Sequence, residues 1–135
     1  EKEIDDTKYI FVKFPSGKEA NFFSIMSKGT VALSLFYMWY MQMVDGINFM
    51  FIDEFDSYFH HEVSRKLIKK LKESSSQIIL TTHNTANMSN TILRPDSYFT
   101  ISNNRIANIA DRSGREIRQA QNIEKMYRAG SFDNE

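Results

Sequence analysis

The sequence contains no cysteine, which excludes disulfide bonds and thiolate metal sites within these 135 residues. Its 17 basic residues balance its 17 acidic residues, so no net charge draws the chain to nucleic acid or to an anionic membrane. The longest apolar stretch, residues 31–44, is interrupted by Ser34 and Gln42 and is shorter than the roughly 20 residues that span a bilayer. The charged N-terminal stretch has no signal-peptide core. We therefore expect a cytoplasmic protein without a membrane partner.

The motif that cradles nucleotide phosphates is also missing. The pattern G-x-x-x-x-G-K-S/T occurs nowhere, and the five glycines are isolated from one another. Gly17 precedes Lys18, but no earlier glycine has the required spacing and no hydroxyl residue follows. The residues that could identify a phosphate-binding loop are therefore not in this sequence.

Apolar patterning predicts an α/β fold with parallel strands, in a single domain over residues 1–135. Residues 47–52 and 77–82 are short apolar runs of the kind found in buried parallel strands. The intervening residues 59–73 place apolar side chains on one helical face and lysines on the other. This order predicts a βαβ unit, whose strands run parallel.

Other segments predict elements around this unit. Residues 9–14 predict a strand whose hairpin partner follows the turn at Pro15–Lys18, and residues 31–44 predict a helix buried on all sides. Residues 85–93 predict a short helix. Residues 97–102 and 105–110 predict a peripheral β-hairpin, and a last short helix is expected from Asn122 with Gly130 after its end.

Charged side chains follow both apolar runs of the predicted βαβ unit. Asp53 and Glu54 come after the first run, with Asp56 close behind, and His83 comes after the second. Because ligands of open α/β sheets bind at the carboxyl ends of the strands, we expect these groups to converge. One carboxylate suits Mg²⁺, a second can polarise a water, and an imidazole can contact a developing anion. The pattern therefore indicates phosphoryl chemistry, although acids after a strand also occur in ordinary loops.

Residues 27–30 form a small polar segment before the apolar helix. The amides at a helix N-terminus bind anions, and Gly29 would let the backbone approach a ligand. A simpler interpretation is that Ser27 or Thr30 caps the helix, with no ligand involved. The residues alone leave both interpretations open.

Taken in order, these motifs resemble the C-terminal half of an ABC-type ATPase head of the RecF, SMC and OLD-like branch, as in bacterial AAA-type ATP-binding proteins. "MSKGT" is similar to the signature loop, "FMFIDE" to Walker B, "DSYFHHE" to the D-loop and "LTTHN" to the switch-histidine loop. The resemblance covers residues 22–132. It implies a partial P-loop NTPase fold, with flanking helices and a peripheral β-hairpin. It also implies that the Walker A half lies upstream, so that residues 1–135 are a C-terminal fragment of the head.

The resemblance implies a role for each candidate residue. Asp53 would hold Mg²⁺ through water, Glu54 would orient or deprotonate the attacking water, and His83 would contact the γ-phosphate of ATP. The ATP held by the opposite protomer of a head-to-tail homodimer would be contacted in trans by Ser27, Lys28, Gly29, Thr30, Asp56 and Ser57.

The resemblance further implies ATP and Mg²⁺ as cofactors, a DNA or nuclease effector as partner, and a part in DNA metabolism or phage defence. The 135-residue piece alone is expected to be inactive, since it lacks the phosphate-binding loop. Two alternatives follow from the residues themselves. One is a non-catalytic binding module that keeps an ATPase-like core. The other is a self-contained Mg²⁺-dependent hydrolase or nuclease that uses Asp53, Glu54, Asp56 and His83.

Overall fold

The chain is a mixed α/β protein that divides into two compact units. The computed structural model describes residues 2–4, 7–44, 46–113, 116–118 and 120–132. The first unit comprises residues 1–47 and the second comprises residues 48–135. In the described parts of the chain, each sheet consists of two strands.

Two antiparallel hairpins open the first unit. Strand β1 (Lys2–Ile4) pairs with β2 (Thr7–Tyr9), and β3 (Phe11–Lys13) pairs with β4 (Glu19–Asn21). The turn between β3 and β4 contains Gly17 at a φ of 82°, a left-handed conformation that glycine adopts without penalty. The predicted hairpin is confirmed, although Tyr9 belongs to the preceding strand.

The hairpin's second strand is shorter than its apolar sequence suggests. The side chain of Asn21 accepts a hydrogen bond from the Phe23 N–H at 3.0 Å. This bond caps the short helix α1 (Phe22–Ile25). Asn21 therefore ends the strand and starts a helix at the same point.

Helix α2 (Lys28–Val44) forms where the apolar stretch predicts it. Phe36 and Met43 are buried, but Tyr37, Met38 and Trp39 are 61%, 56% and 44% exposed. The expectation of burial on all sides is therefore wrong, because the three-residue strands of this unit offer too little surface to surround 17 residues. No helix within the described ranges has the length and apolar character to cross a membrane.

The second unit begins with the predicted βαβ arrangement. Strand β5 (Phe49–Ile52) is followed by helix α3 (His61–Leu71) and strand β6 (Gln77–Leu80). β5 and β6 pair in parallel, with Ile52 opposite Leu80. Both strands therefore end at the same edge, as the apolar runs predict.

The faces of this small sheet differ in exposure. Phe49 and Phe51 are 53% and 56% exposed, and Ile79, the register partner of Phe51, is 43% exposed. Side chains alternate between the faces of a strand, and one crossover helix can cover only one face of a two-stranded sheet. The expectation of fully buried strands is therefore wrong for this face.

The predicted peripheral hairpin is confirmed. Strands β7 (Phe99–Ser102) and β8 (Arg105–Asn108) pair antiparallel. Asn103 and Asn104 connect them with φ values of 49° and 57°, the conformation of a tight hairpin turn that asparagine tolerates. β8 stops two residues earlier than predicted, because the Asn108 side chain accepts from the Ala110 N–H at 2.8 Å and caps a new helix, α4 (Ile109–Arg112).

Helix α5 (Ile123–Arg128) confirms the predicted last helix. The side chain of Asn122 caps it, and Gly130 follows its end with a φ of 73°. The core of the second unit lies beside α4 and α5, where the most deeply buried apolar side chains are Ile109, Ile123 and Phe132.

The helix predicted over residues 85–93 is wrong, because only Thr85–Asn87 form a single 3-10 turn. The N–H of Ser89 donates to the hydroxyl of Tyr98 at 3.0 Å instead of to a helical carbonyl. That hydroxyl also lies 3.0 Å from the carbonyl of Asn87 and 2.9 Å from that of Ser89. Tyr98 therefore holds this segment in an irregular path.

Candidate functional site

The loops that follow β5 and β6 lie side by side at the carboxyl edge of the parallel strand pair. The Thr81 N–H donates to the Ile52 carbonyl at 3.0 Å, which continues the ladder beyond the strands. The Phe55 N–H then donates back to the Thr81 carbonyl at 3.2 Å. The acidic loop and the histidine loop are therefore hydrogen-bonded to each other.

Thr81 fixes both predicted acids with one hydroxyl group. It accepts from the Glu54 N–H at 2.8 Å and donates to Oδ1 of Asp53. Asp53 is exposed, so its carboxylate is oriented and still reaches solvent. Sequence reasoning missed Thr81. Its only signal was the paired threonine that ends the second apolar run.

Glu54 has a φ of 44°, in the left-handed region. That conformation costs about 1–2 kcal/mol for a residue with a Cβ. Ser57 stabilises it, because its N–H donates to the Glu54 carbonyl at 3.0 Å and its hydroxyl donates to Oε2 at 3.1 Å. Unfavourable backbone conformations persist where the surroundings hold them, often at functional sites.

His83 lies next to the Glu54 carboxylate. Its Nε2 is 3.4 Å from Oε1 of Glu54, and the two side chains are 90% and 56% exposed. The structure therefore brings the predicted acid and imidazole together at a surface that a ligand can reach. Thr81 links Asp53 to the same loop.

Asp56 occupies a different position from the other two acids. It is 8% exposed, and its carboxylate accepts from the Thr82 hydroxyl at 2.7 Å and from Nδ2 of Asn87 at 2.8 Å. Its carboxylate therefore does not join those of Asp53 and Glu54. Within the described ranges, no group of three or more potential ligands could hold a metal ion. The carboxylate cluster expected for a self-contained metal hydrolase is not formed.

The polar segment of residues 27–30, which forms the N-cap and first turn of α2, belongs to the first unit. The Ser27 hydroxyl accepts from the Thr30 N–H at 3.1 Å and lies 2.9 Å from the Thr30 hydroxyl. Ser27 is thus the N-cap of α2, with Lys28, Gly29 and Thr30 in the first turn. The structure therefore shows the helix cap by Ser27 that one of the two interpretations predicted. Contact of these residues with a nucleotide stays a prediction.

The strand-end loops of this α/β protein bring Glu54 and His83 together beside an exposed Asp53. Residues 1–89 of the 135 match the family described as "AAA domain, putative AbiEii toxin, Type IV TA system". The chain belongs to this family, and it is therefore a P-loop ATPase-type domain. The matched range includes the polar segment at the start of α2 and both strand-end loops. No curated protein and no solved structure matches the chain.

The donor set at the strand ends fits magnesium bound together with a nucleotide. Mg²⁺ prefers oxygen ligands, and it usually takes one or two carboxylates, several waters and phosphate oxygens. Asp53 offers an exposed carboxylate that Thr81 holds in place.

Proposed function

We propose that the chain is the signature-to-switch part of an ATP-hydrolysing, ABC-type head of the OLD-like or RecF-like branch. The main observation behind this proposal is the 3.4 Å distance between Oε1 of Glu54 and Nε2 of His83. Asp53 lies beside this pair and is oriented by Thr81. Membership of a P-loop ATPase-type family supports nucleotide binding at this edge. We further propose that residues 1–135 are the C-terminal part of a single domain, in which another segment supplies the phosphate-binding loop.

The exposed apolar face of β5 and β6 supports this partial-head proposal. Parallel sheets are normally covered on both faces. Here Phe49 and Phe51 lie more than half exposed on a pair of strands. Such a face is expected when the remaining strands and helices of a larger sheet are contributed by another segment.

Each residue at the edge has a chemical task in this proposal. Asp53 would hold Mg²⁺ through water, and the bound ion would offset the charge of the phosphates. Glu54 would orient the attacking water and accept its proton, with Ser57 fixing one oxygen of its carboxylate. His83 would donate a hydrogen bond to the γ-phosphate as negative charge develops there.

We also propose that two heads form a homodimer around ATP. Ser27, Lys28, Gly29 and Thr30 would contact the opposite protomer's nucleotide, and the start of a 17-residue helix favours an anion at that place. Ser57 lies exposed on the D-loop and would face the same interface. A DNA or nuclease effector would respond to this dimer. The family's description names a toxin of a type IV toxin–antitoxin system, which agrees with a defence role.

The first test uses the purified 135-residue chain in nucleotide titration and phosphate-release assays. We expect neither tight ATP binding nor turnover, because the sequence contains no phosphate-binding loop. Micromolar ATP affinity with magnesium-dependent turnover would contradict the partial-head proposal. Metal-dependent cleavage of DNA by this chain, abolished by Asp53→Ala, would favour the nuclease alternative.

The second test uses the assembled ATPase, with the phosphate-binding segment present. We expect Glu54→Gln to lower the hydrolysis rate about 100-fold or more, as loss of a general base does. The ATP-dependent dimer should accumulate, which size-exclusion chromatography can follow. Glu73→Gln, at a side chain 63% exposed just after α3, is the matched control and should leave the rate unchanged. A wild-type rate in Glu54→Gln would refute the assigned role.

A further inference from the structure

We propose that the buried carboxylate of Asp56 is a positioning residue that determines where Glu54 and His83 meet. It would do so by hydrogen-bonding the two loops together below the exposed edge. The inference rests on the proposed ATPase function, which it deepens by assigning the aspartate of the D-loop to its own protomer's site.

The two hydrogen bonds of Asp56 connect the loops close to the reactive groups. Asp56 is two residues after Glu54, and its Oδ1 accepts from Thr82, the neighbour of His83, at 2.7 Å. Its Oδ2 accepts from Nδ2 of Asn87 at 2.8 Å. One carboxylate therefore joins the acidic loop to both ends of the histidine loop.

Thr82 passes this constraint to the histidine. While its hydroxyl donates to Asp56, it also accepts from the Asn84 N–H at 2.9 Å. The second bond closes a tight turn whose middle residue is His83. A shift of the Asp56 carboxylate would therefore move or loosen the turn that carries the imidazole.

The network continues into the crossover helix. Oδ1 of Asn87 lies 3.0 Å from the hydroxyl of Ser64 in α3, and these two residues are 2% and 0% exposed. Buried polar groups of this kind are costly to leave unpaired. Asp56, Asn87 and Ser64 therefore connect both loops to a helix through bonds that water does not reach easily.

The exposed contact could not set this geometry alone. A polar contact between side chains as open to solvent as those of Glu54 and His83 contributes little to stability. Buried hydrogen bonds to an ionised carboxylate are stronger than neutral ones. The distance between the acid and the imidazole is therefore set by the network below them.

An exchange of groups between positions 56 and 87 tests the proposal. Asn87→Asp places a second carboxylate against that of Asp56 and removes the donor between them. Asp56→Asn combined with Asn87→Asp restores a donor–acceptor pair, and Thr82 and Ser64 can still donate to the new groups. The single variant should disrupt the network, whereas the double variant should restore it.

The readout is backbone amide exchange, measured by NMR on the 135-residue chain. Phe55 and Asn84 report on the two loops, and Ser131, whose N–H donates to the Met126 carbonyl, reports on the distant core. Asn87→Asp should accelerate exchange at Phe55 and Asn84 about tenfold or more relative to Ser131. The double variant should return all three to wild-type rates. Equal acceleration at all three amides, or no rescue, would overturn the proposal.

Turnover in the assembled ATPase separates positioning from a purely structural role. Asn87→Asp should lower kcat with an unchanged KM, and the double variant should recover kcat. Disrupted exchange with a normal kcat would overturn the positioning role. If the wild-type assembly hydrolyses no ATP, the proposed function fails, and the exchange experiment still decides whether Asp56 orders the loops.

A second substitution keeps the test valid should Asn87→Asp fail to fold. Thr82→Val deletes one donor to Asp56 without adding charge, but it also deletes the acceptor of the Asn84 N–H. The readout for this variant is therefore Phe55 on the acidic loop, where exchange should accelerate, and kcat should fall. Thr91→Val, at an exposed position in the following turn, is its matched control. Equal exchange at Phe55 in Thr82→Val and Thr91→Val would count against the network.

Discussion

Single hydroxyl groups orient the charged residues of the site. Thr81 bonds to Asp53 and to the amide of Glu54, Ser57 bonds to the Glu54 carboxylate, and Thr82 bonds to Asp56. A hydroxyl can donate and accept at once, so it can relay orientation between backbone and carboxylate. These neutral residues therefore determine what the acids can do.

A single tyrosine makes the stability of the fold depend on pH. Burial raises the pKa of Tyr98 above its ordinary value near 10. Because the folded-state pKa exceeds the unfolded one, the unfolded chain loses this proton first as the pH rises. The raised pKa of Tyr98 therefore adds to the free energy of unfolding. This contribution is complete below about pH 10 and is lost as the pH rises through the folded-state pKa.

Urea unfolding at pH 9 and pH 11 measures this effect. Tyr98→Phe should be less stable than wild type at pH 9, since its hydroxyl bonds are lost, but it should lose less stability between the two pH values. Tyr58→Phe, at a site 61% exposed, should lose as much as wild type. Equal pH slopes for Tyr98→Phe and wild type would contradict the assignment.

At the scale of elements, side-chain caps decide where helices begin. Asn21, Asn108 and Asn122 each accept a backbone N–H at a helix start, and Ser27 does so for α2. A capping side chain satisfies a donor that the helix itself leaves without a partner. Capping explains why β4 and β8 both stop before their apolar sequences end.

The contribution of the Ser27 cap to stability can be measured by substitution. Ser27→Ala should lower the free energy of unfolding by about 1 kcal/mol, because the Thr30 N–H loses its partner. Ser34→Ala, later in the same helix, removes only a bond back to the Thr30 carbonyl and improves helix propensity, so it should not destabilise. Thermal unfolding followed by circular dichroism compares the two. Equal losses would argue against the cap.

At the scale of the whole molecule, the deepest apolar burial is in the second unit. Ile109 and Ile123 are 0% exposed and Phe132 is 1% exposed. Phe99 of the same unit is 60% exposed. Side chains of equal size therefore differ widely in what they contribute to stability.

Truncation of two phenylalanines tests this difference. Phe132→Ala should cost about 3–5 kcal/mol, as cavity-forming substitutions in cores do. Phe99→Ala should cost about 0.5 kcal/mol or less, since its side chain is largely in water already. Denaturant unfolding of the 135-residue chain gives both values. Similar costs would show that Phe132 is not part of a packed core.

The fold could be predicted where a pattern is local. The alternation of apolar runs and an amphipathic segment predicted β5, α3 and β6, and the Asn103–Asn104 pair predicted the hairpin turn. The approach of Glu54 to His83 followed from strand polarity alone. Asn87 and Ser64 could not be predicted as its support, since their bonds join residues 23 and 31 positions apart in sequence.

The amino-acid sequence by itself determined the order of the elements and the placement of acids and a histidine at two strand ends, because periodicity and composition act within a few residues. Only the tertiary structure decided that Asp56 turns inward while Asp53 and Glu54 stay at the surface. The reason is physical: hydrogen-bond donors from other segments, Thr82 and Asn87, surround one carboxylate and leave the others to solvent. Whether a carboxylate is buried or exposed depends on which loops pack against it, and a local sequence pattern does not determine that.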